Sequence, residues 1–155
     1  MKNSIPQSFC LGQSETVVIP IRGWCEWVHL LVTGPELVLI DTGLFGEHRP
    51  ILRVLNSLGS ETRLQTLLLT HGHLDHSGNL ATLQQQIPSL DVRMHPDDAQ
   101  HLNQSHPYRG IARVCGALEA AGRTLTAWKA PSHWTPLEDG QTLPVAGGLR
   151  VVHLP

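Results

Sequence analysis

The chain is 155 residues long and carries 11 basic and 13 acidic side chains, a formal charge of −2 with histidine neutral. That length predicts one domain, residues 1–155. Apolar content of 41% against 15% charged excludes a disordered chain and a basic surface for nucleic acid. No apolar run approaches the roughly 18 residues of a membrane span. Met1 to Gln13 also lacks the apolar stretch of a secretory leader. The three cysteines, Cys10, Cys25 and Cys115, rule out a disulfide framework and point to a reducing, cytoplasmic setting.

Thr16-Val17-Val18-Ile19 reads as a strand stopped by Pro20, and Trp27 to Val32 as a second. Gly34-Pro35 turns the chain into Leu37-Val38-Leu39-Ile40, which has no polar alternation and so predicts a strand buried on both faces. Pro50 suits a first helical turn. Ile51, Leu52, Val54, Leu55 and Leu58 continue it to Gly59. Leu67 to Thr70 is a further buried strand. Leu80, Leu83, Gln84 and Ile87 give a short helix halted by Pro88, and Val92-Arg93-Met94 a short strand. A turn or two of helix is expected after Pro96. Ile111, Val114, Cys115 and Leu118 mark a clearer helix stopped by Gly122. Trp128 to Pro136 reads as irregular, and two short strands close the chain, the last from Leu149 to Leu154. Strands alternating with helices predict an α/β fold with a partly parallel sheet.

Histidine carries the chemical signal: there are ten. Thr70-His71-Gly72-His73-Leu74-Asp75-His76-Ser77-Gly78-Asn79 leaves a buried strand and enters a helix, at the strand end where open α/β sheets place their sites. His71 and His73, two apart in extended backbone, project to one side, and Gly72 between them spares the site a crowding side chain. Asp75 and His76 lie where the chain turns helical and can face another point. One loop thus offers two ligands to each of two neighbouring ions. Imidazole and carboxylate donors suit zinc, with iron or manganese also possible. Two ions roughly 3.5–4 Å apart can clamp a carbonyl or phosphoryl group.

The His-x-His-x-Asp-His pattern behind a hydrophobic strand resembles the metallo-β-lactamase superfamily. Leu39-Ile40-Asp41-Thr42-Gly43 resembles that family's second-strand motif, and Gly78-Asn79 is similar to its glyoxalase II-like branch. The resemblance implies the amino-terminal part of a four-layered αβ/βα sandwich. It also implies that His71 and His73 bind a first metal and Asp75 and His76 a second. Asp75 would orient the attacking water, and Asp41 would hydrogen-bond beside the ligand loop. The implied activity is hydrolysis of an ester, thioester or amide in a small molecule by a metal-held hydroxide.

The family pattern continues with Gly-His-Thr, an aspartate and a final histidine, whereas Val151-Val152-His153-Leu154-Pro155 resembles the strand entering that Gly-His-Thr turn. His153 is therefore not taken as a ligand. The expectation is a domain incomplete at its carboxyl end and impaired as a catalyst, with an uncovered apolar sheet face and an open edge that favour self-association. A non-catalytic metal-binding or self-associating module and a phosphodiesterase of the same superfamily are the alternatives. His95, after the strand Val92 to Met94, reads either as a sheet-edge site residue or as a loop histidine before Pro96. His101, His106 and His133 are expected to be solvated or at most part of a substrate-pocket wall, His48 to lie in a loop and His29 on a strand. The tryptophans Trp24, Trp27, Trp128 and Trp134 are read as packing, with Trp24 placed to flank the metal mouth. Cys25 and Cys115 are expected to be unreactive packers.

Overall fold

A computed structural model describes residues 9–10, 15–59, 63–102, 108–126 and 128–154. Seven strands form one sheet in sequence order: β1 (Phe9–Cys10), β2 (Val17–Arg22), β3 (Trp27–Thr33), β4 (Glu36–Ile40), β5 (Arg63–Leu68), β6 (Asp91–Met94) and β7 (Thr135–Pro136). β1 to β4 pair antiparallel, and β4 to β7 pair parallel. The parallel crossovers carry α1 (His48–Ser57), then α2 (Leu74–Ser77) with α3 (Leu80–Gln86), then α4 (Pro96–Leu102) with α5 (Ala112–Leu125). A separate hairpin, β8 (Thr142–Leu143) with β9 (Leu149–Arg150), follows.

The expected mixed sheet is therefore present, and β4 is buried on both faces as its sequence requires. Leu37 and Leu39 join Ile51, Leu67, Leu80, Leu83 and Met94 on the helix side, while Val38 faces Val18 and Leu31 on the other. Period-two alternation alone assigns these faces. Truncating Leu39, which has no solvent exposure, to alanine would cost about 2–5 kcal/mol.

Several boundaries differ from expectation for physical reasons. β2 runs through Pro20 to Arg22. β1 reaches only Val17 and Val18, so at Pro20 the strand has one neighbour, and an edge tolerates proline. β5 begins at Arg63, because Leu64 and Thr66 are buried while Gln65 faces water. β9 stops at Arg150 rather than Leu154. α5 continues past Gly122 to Leu125, and Trp128 to Pro136 contains β7.

The sheet face expected to be bare is covered in part by the carboxyl-terminal segment from Leu137 through the hairpin, while Ile40 and Leu68 on it stay half-buried. Leu137, Leu143, Val145 and Ala146 pack against Val18, Leu31 and Val38. The Ala146 amide donates to Glu36 Oε2 at 2.8 Å, and the Thr16 hydroxyl to the Ala146 carbonyl at 3.0 Å, pinning the cover in place. Among the described residues the outermost strands of the sheet, β1 and β7, are two residues long, and β7 contains Pro136. Among the described residues, no helix is long and apolar enough to cross a membrane.

Candidate metal centre

The carboxyl ends of β4, β5 and β6 meet at one end of the sheet, and the ligand loop leaves from β5. Asp41, directly after β4, has φ +63°, in the left-handed region that aspartate enters more readily than most residues. The bend turns its buried carboxylate across the end of β5. Asp41 Oδ1 accepts the Thr70 amide at 2.8 Å, Oδ2 accepts the Thr70 hydroxyl at 2.8 Å, and Oδ2 also accepts His76 Nδ1 at 2.9 Å.

These bonds fix two tautomers. A carboxylate only accepts, so His76 carries its proton on Nδ1 and presents Nε2 outward. Thr70 has one hydroxyl proton and gives it to Asp41. The His71 Nδ1 that lies 3.0 Å from Thr70 Oγ1 must then be the donor, which leaves Nε2 of His71 as a lone pair too. One buried anion orients both rings. The two rings also differ electrostatically. The hydrogen bond to Asp41 raises the His76 pKa despite partial burial, whereas burial, then the neighbouring His76 and His73, lowers that of His71.

The loop brings three of the four expected donors into one group, with His76 beside Asp75. Ligand atoms of His71, His73 and Asp75 lie within 4.8 Å of one another. His76 Nε2 is 3.7 Å from Asp75 Oδ2, and the His71 and His76 ring centroids are 4.0 Å apart. Asp75 thus sits between the extended pair and His76. Its side chain is 45% exposed, so it is reachable by water. Lone-pair nitrogens beside a carboxylate form a donor set that fits a divalent ion of the zinc class.

Backbone contacts hold the loop. Thr42 donates both its amide and its hydroxyl to the His76 carbonyl, at 2.7 and 2.9 Å. Buried Asn79 donates Nδ2 to the carbonyls of Thr42 and Leu44, at 2.7 and 2.6 Å. A Cβ on Gly72 would lie 2.5 Å from the Asp98 carbonyl. Gly72 is therefore required by the approach of α4, a different reason from relief of crowding at the ligands. On Gly78 a Cβ would come within 2.5 Å of the Phe45 amide.

α5 supplies residues that sequence reasoning missed. Glu119 Oε1 accepts the Leu74 amide at 2.6 Å, and its other oxygen accepts the Tyr108 hydroxyl. Burial opposes ionisation of Glu119, yet these two hydrogen bonds outweigh it and hold the carboxyl below its ordinary range. Burial, then Glu119, raises the Tyr108 phenol. Buried Arg123 donates to the carbonyls of Leu102 (2.8 Å) and Gly72 (3.3 Å) and lies 4.4 Å from the Trp128 ring. Trp128 Nε1 donates to the Ser77 carbonyl at 3.1 Å. The i, i+4 pair Glu119 and Arg123 was the one available sequence signal.

The remaining candidates are distributed as follows. His101, expected to be solvated or part of a pocket wall, is half-buried on α4 with its ring 5.2 Å from His73. His133 is exposed and His29 sits on β3. His48 opens α1 rather than lying in a loop, its Nδ1 3.4 Å from Asn79 Oδ1. His106 lies outside the described residues. Trp24 is 89% exposed, and its amide donates to Glu47. Cys25 is a free exposed thiol whose pKa is pushed up to about 11, chiefly by the adjacent Glu26 carboxylate. A cavity of about 450 Å³ at this end of the sheet is lined by His71, His95 and His153 among others. A larger one, about 810 Å³, lies by Leu52, Arg63 and Pro88 and contains none of the histidines.

A hydroxyacylglutathione hydrolase of Legionella pneumophila (strain Lens) is 41% identical over 95 residues, covering 59% of this chain and 35% of the relative. An atrochrysone carboxyl ACP thioesterase of Aspergillus fumigatus is 35% identical over 113 residues, covering 69% of this chain and 33% of the relative. The chain spans between 27% and 35% of the length of such curated relatives. Among solved structures, the metallo-beta-lactamase GOB-18 from Elizabethkingia meningoseptica matches with a TM-score of 0.63 at 18% identity. That match covers all of this chain (100%) and 54% of the other, a likeness of fold. The model of the metallo-beta-lactamase superfamily matches residues 26–154, a stretch that includes β3 to β9 and the whole ligand loop. On that match the chain belongs to the metallo-β-lactamase superfamily.

Proposed function

We propose that this chain carries the metal-binding loop of a metal-dependent hydrolase acting on a small-molecule thioester. The observation that carries the reading is the single buried carboxylate of Asp41, which turns the Nε2 atoms of His71 and His76 away from itself. His71 and His73 would hold one divalent ion, and Asp75 and His76 a second, with zinc the expected metal. Such ions supply Lewis acidity, polarising a substrate carbonyl and making water more acidic. Asp75, exposed between the histidines, orients the attacking water and accepts its proton. Asp41 and Thr70 hold the ring orientations, and Glu119 and Arg123 hold the loop backbone.

The choice of thioester over amide or phosphodiester is supported by the relatives named above, a hydroxyacylglutathione hydrolase and an acyl-carrier thioesterase. The formal charge of −2 offers no attraction for a nucleic-acid backbone. The test is hydrolysis of matched thioester, ester and phosphodiester substrates by the zinc-loaded chain, with and without chelator. Chelator-sensitive thioester turnover that His73→Ala and Asp75→Ala each reduce at least a hundredfold is expected. Undiminished turnover in both variants would overturn the reading.

A further inference from the structure

We propose that Glu119 is a positioning residue for His73, acting through the Leu74 amide and the Tyr108 ring. With His73 as a metal ligand, the reading on which this rests, two carboxylates divide the ligand loop. Asp41 orients His71 and His76, and Glu119 orients His73. The His76 imidazole is tied to Asp41 directly, and that of His71 through Thr70. His73 has no such tie. It stands at the N-cap of α2, yet its side chain makes no capping bond, and among the described residues its ring has no hydrogen-bond partner. Its direction is therefore set by what packs against it.

Three rings do so. Tyr108 lies nearly parallel to His73, with centroids 6.0 Å apart and planes at 24°. His71 and His101 meet it edge-on, at 4.8 and 5.2 Å. All three separations fall within the roughly 4.5–7 Å at which aromatic pairs attract. Of the three, Tyr108 is the one that α5 holds. Its hydroxyl donates to one oxygen of Glu119. A Cβ on Gly116, three residues before Glu119 on the same stripe, would collide with the Tyr108 ring, so that ring lies against the helix backbone.

Glu119 also grips the backbone beside the ligand. Its other oxygen accepts the Leu74 amide at 2.6 Å. Arg123 Nη2, 3.8 Å from that oxygen, donates to the Gly72 carbonyl at 3.3 Å. His73 is thus held on both sides along the backbone, and across the face of its ring, from one stripe of α5. The task needs a carboxylate, whose two acceptor oxygens serve two donors. Glutamine has one acceptor oxygen and leaves either the Leu74 amide or the Tyr108 hydroxyl without an acceptor. The Glu119 side chain is 19% exposed, so water has little access to stand in for it.

The test uses the full chain, with circular dichroism as the folding control. In metal-free protein, long-range ¹H–¹⁵N correlations report each imidazole separately. Glu119→Gln and Tyr108→Phe both keep the aromatic ring, so any change at His73 reports the tie from hydroxyl to carboxylate. Both should displace or broaden the His73 signals more than those of His71 and His76, and Asp41→Asn should do the reverse. In zinc competition titrations, Glu119→Gln should weaken one ion about 10–100-fold. Tyr108→Leu, which removes the ring, should weaken it at least as far, and Tyr108→Phe less. The assignment is overturned if Glu119→Gln leaves the His73 signals in place, or disturbs all three histidines equally. It is also overturned if Glu119→Gln leaves zinc affinity unchanged. Absence of zinc uptake by the unaltered chain would instead overturn the hydrolase reading, and the metal-free spectra would still decide whether Glu119 orients His73.

Discussion

Asp41 combines a left-handed backbone, burial and hydrogen bonds to two separate loop residues, Thr70 and His76. Asparagine shares its shape and its tolerance of positive φ but cannot accept at both ends of the carboxyl group. Asp41→Asn should therefore keep the fold while letting the His76 ring turn, weakening zinc binding about 10–100-fold in a competition titration. Unchanged affinity would mean that packing, rather than this carboxylate, orients the rings. A second prediction concerns Cys25, whose thiol the Glu26 contact pushes up to about 11. Below that value it remains protonated. At pH 8 its alkylation, followed by peptide mass spectrometry, should run roughly a hundredfold slower than in the urea-unfolded chain. Glu26→Gln should recover much of the difference. At this scale the clustering of His71, His73, Asp75 and His76 was legible because the four are adjacent in sequence. The strain at Asp41 and the packing of Tyr108 on His73 were not, because each depends on where separate segments end in space.

Helix α5 shows how periodicity can reveal an element and misassign its face. Ile111, Val114 and Leu118 have helical spacing and did mark a helix, yet they face solvent, with Ile111 91% exposed. The inward stripe is Ala112, Gly116, Glu119 and Arg123. An apolar stripe could not do that work, since the surface it meets is the polar backbone of the ligand loop: the Leu74 amide and the Gly72 carbonyl. Unpaired, such groups are costly to bury. Arg123→Met, similar in length, should destabilise the chain by about 2 kcal/mol in urea unfolding, since it abandons the Leu102 and Gly72 carbonyls. Leu118→Ser on the opposite face should change stability by no more than about 0.5 kcal/mol. Equal effects would show that α5 is not oriented by its polar side.

For the molecule as a whole, the strand–helix order and the doubly buried β4 followed from apolar pattern, which acts locally. The two closing strands were also read, but their cover over the sheet was not, because two-residue strands leave almost no pattern to say what they pack against. Metal binding to the folded state should raise global stability by mass action. At zinc about a hundred times its dissociation constant the gain is about 2.7 kcal/mol, or roughly 5–10 °C in Tm for a domain of this size. Thermal melts with zinc and with chelator would measure it, and superimposable curves would count against a preformed centre.

Every strand from β1 to β7 lies beside the strand that precedes it in the chain. During synthesis each newly emerging strand therefore meets a partner already in place, and the sheet can grow outward in the order it is translated. One side stays wet until Leu137, Leu143 and Val145 arrive to shield Val18, Leu31 and Val38. Nascent chains arrested before residue 137 should bind a fluorescent apolar dye that chains extending through residue 154 reject, marking the interval in which a chaperone has something to hold.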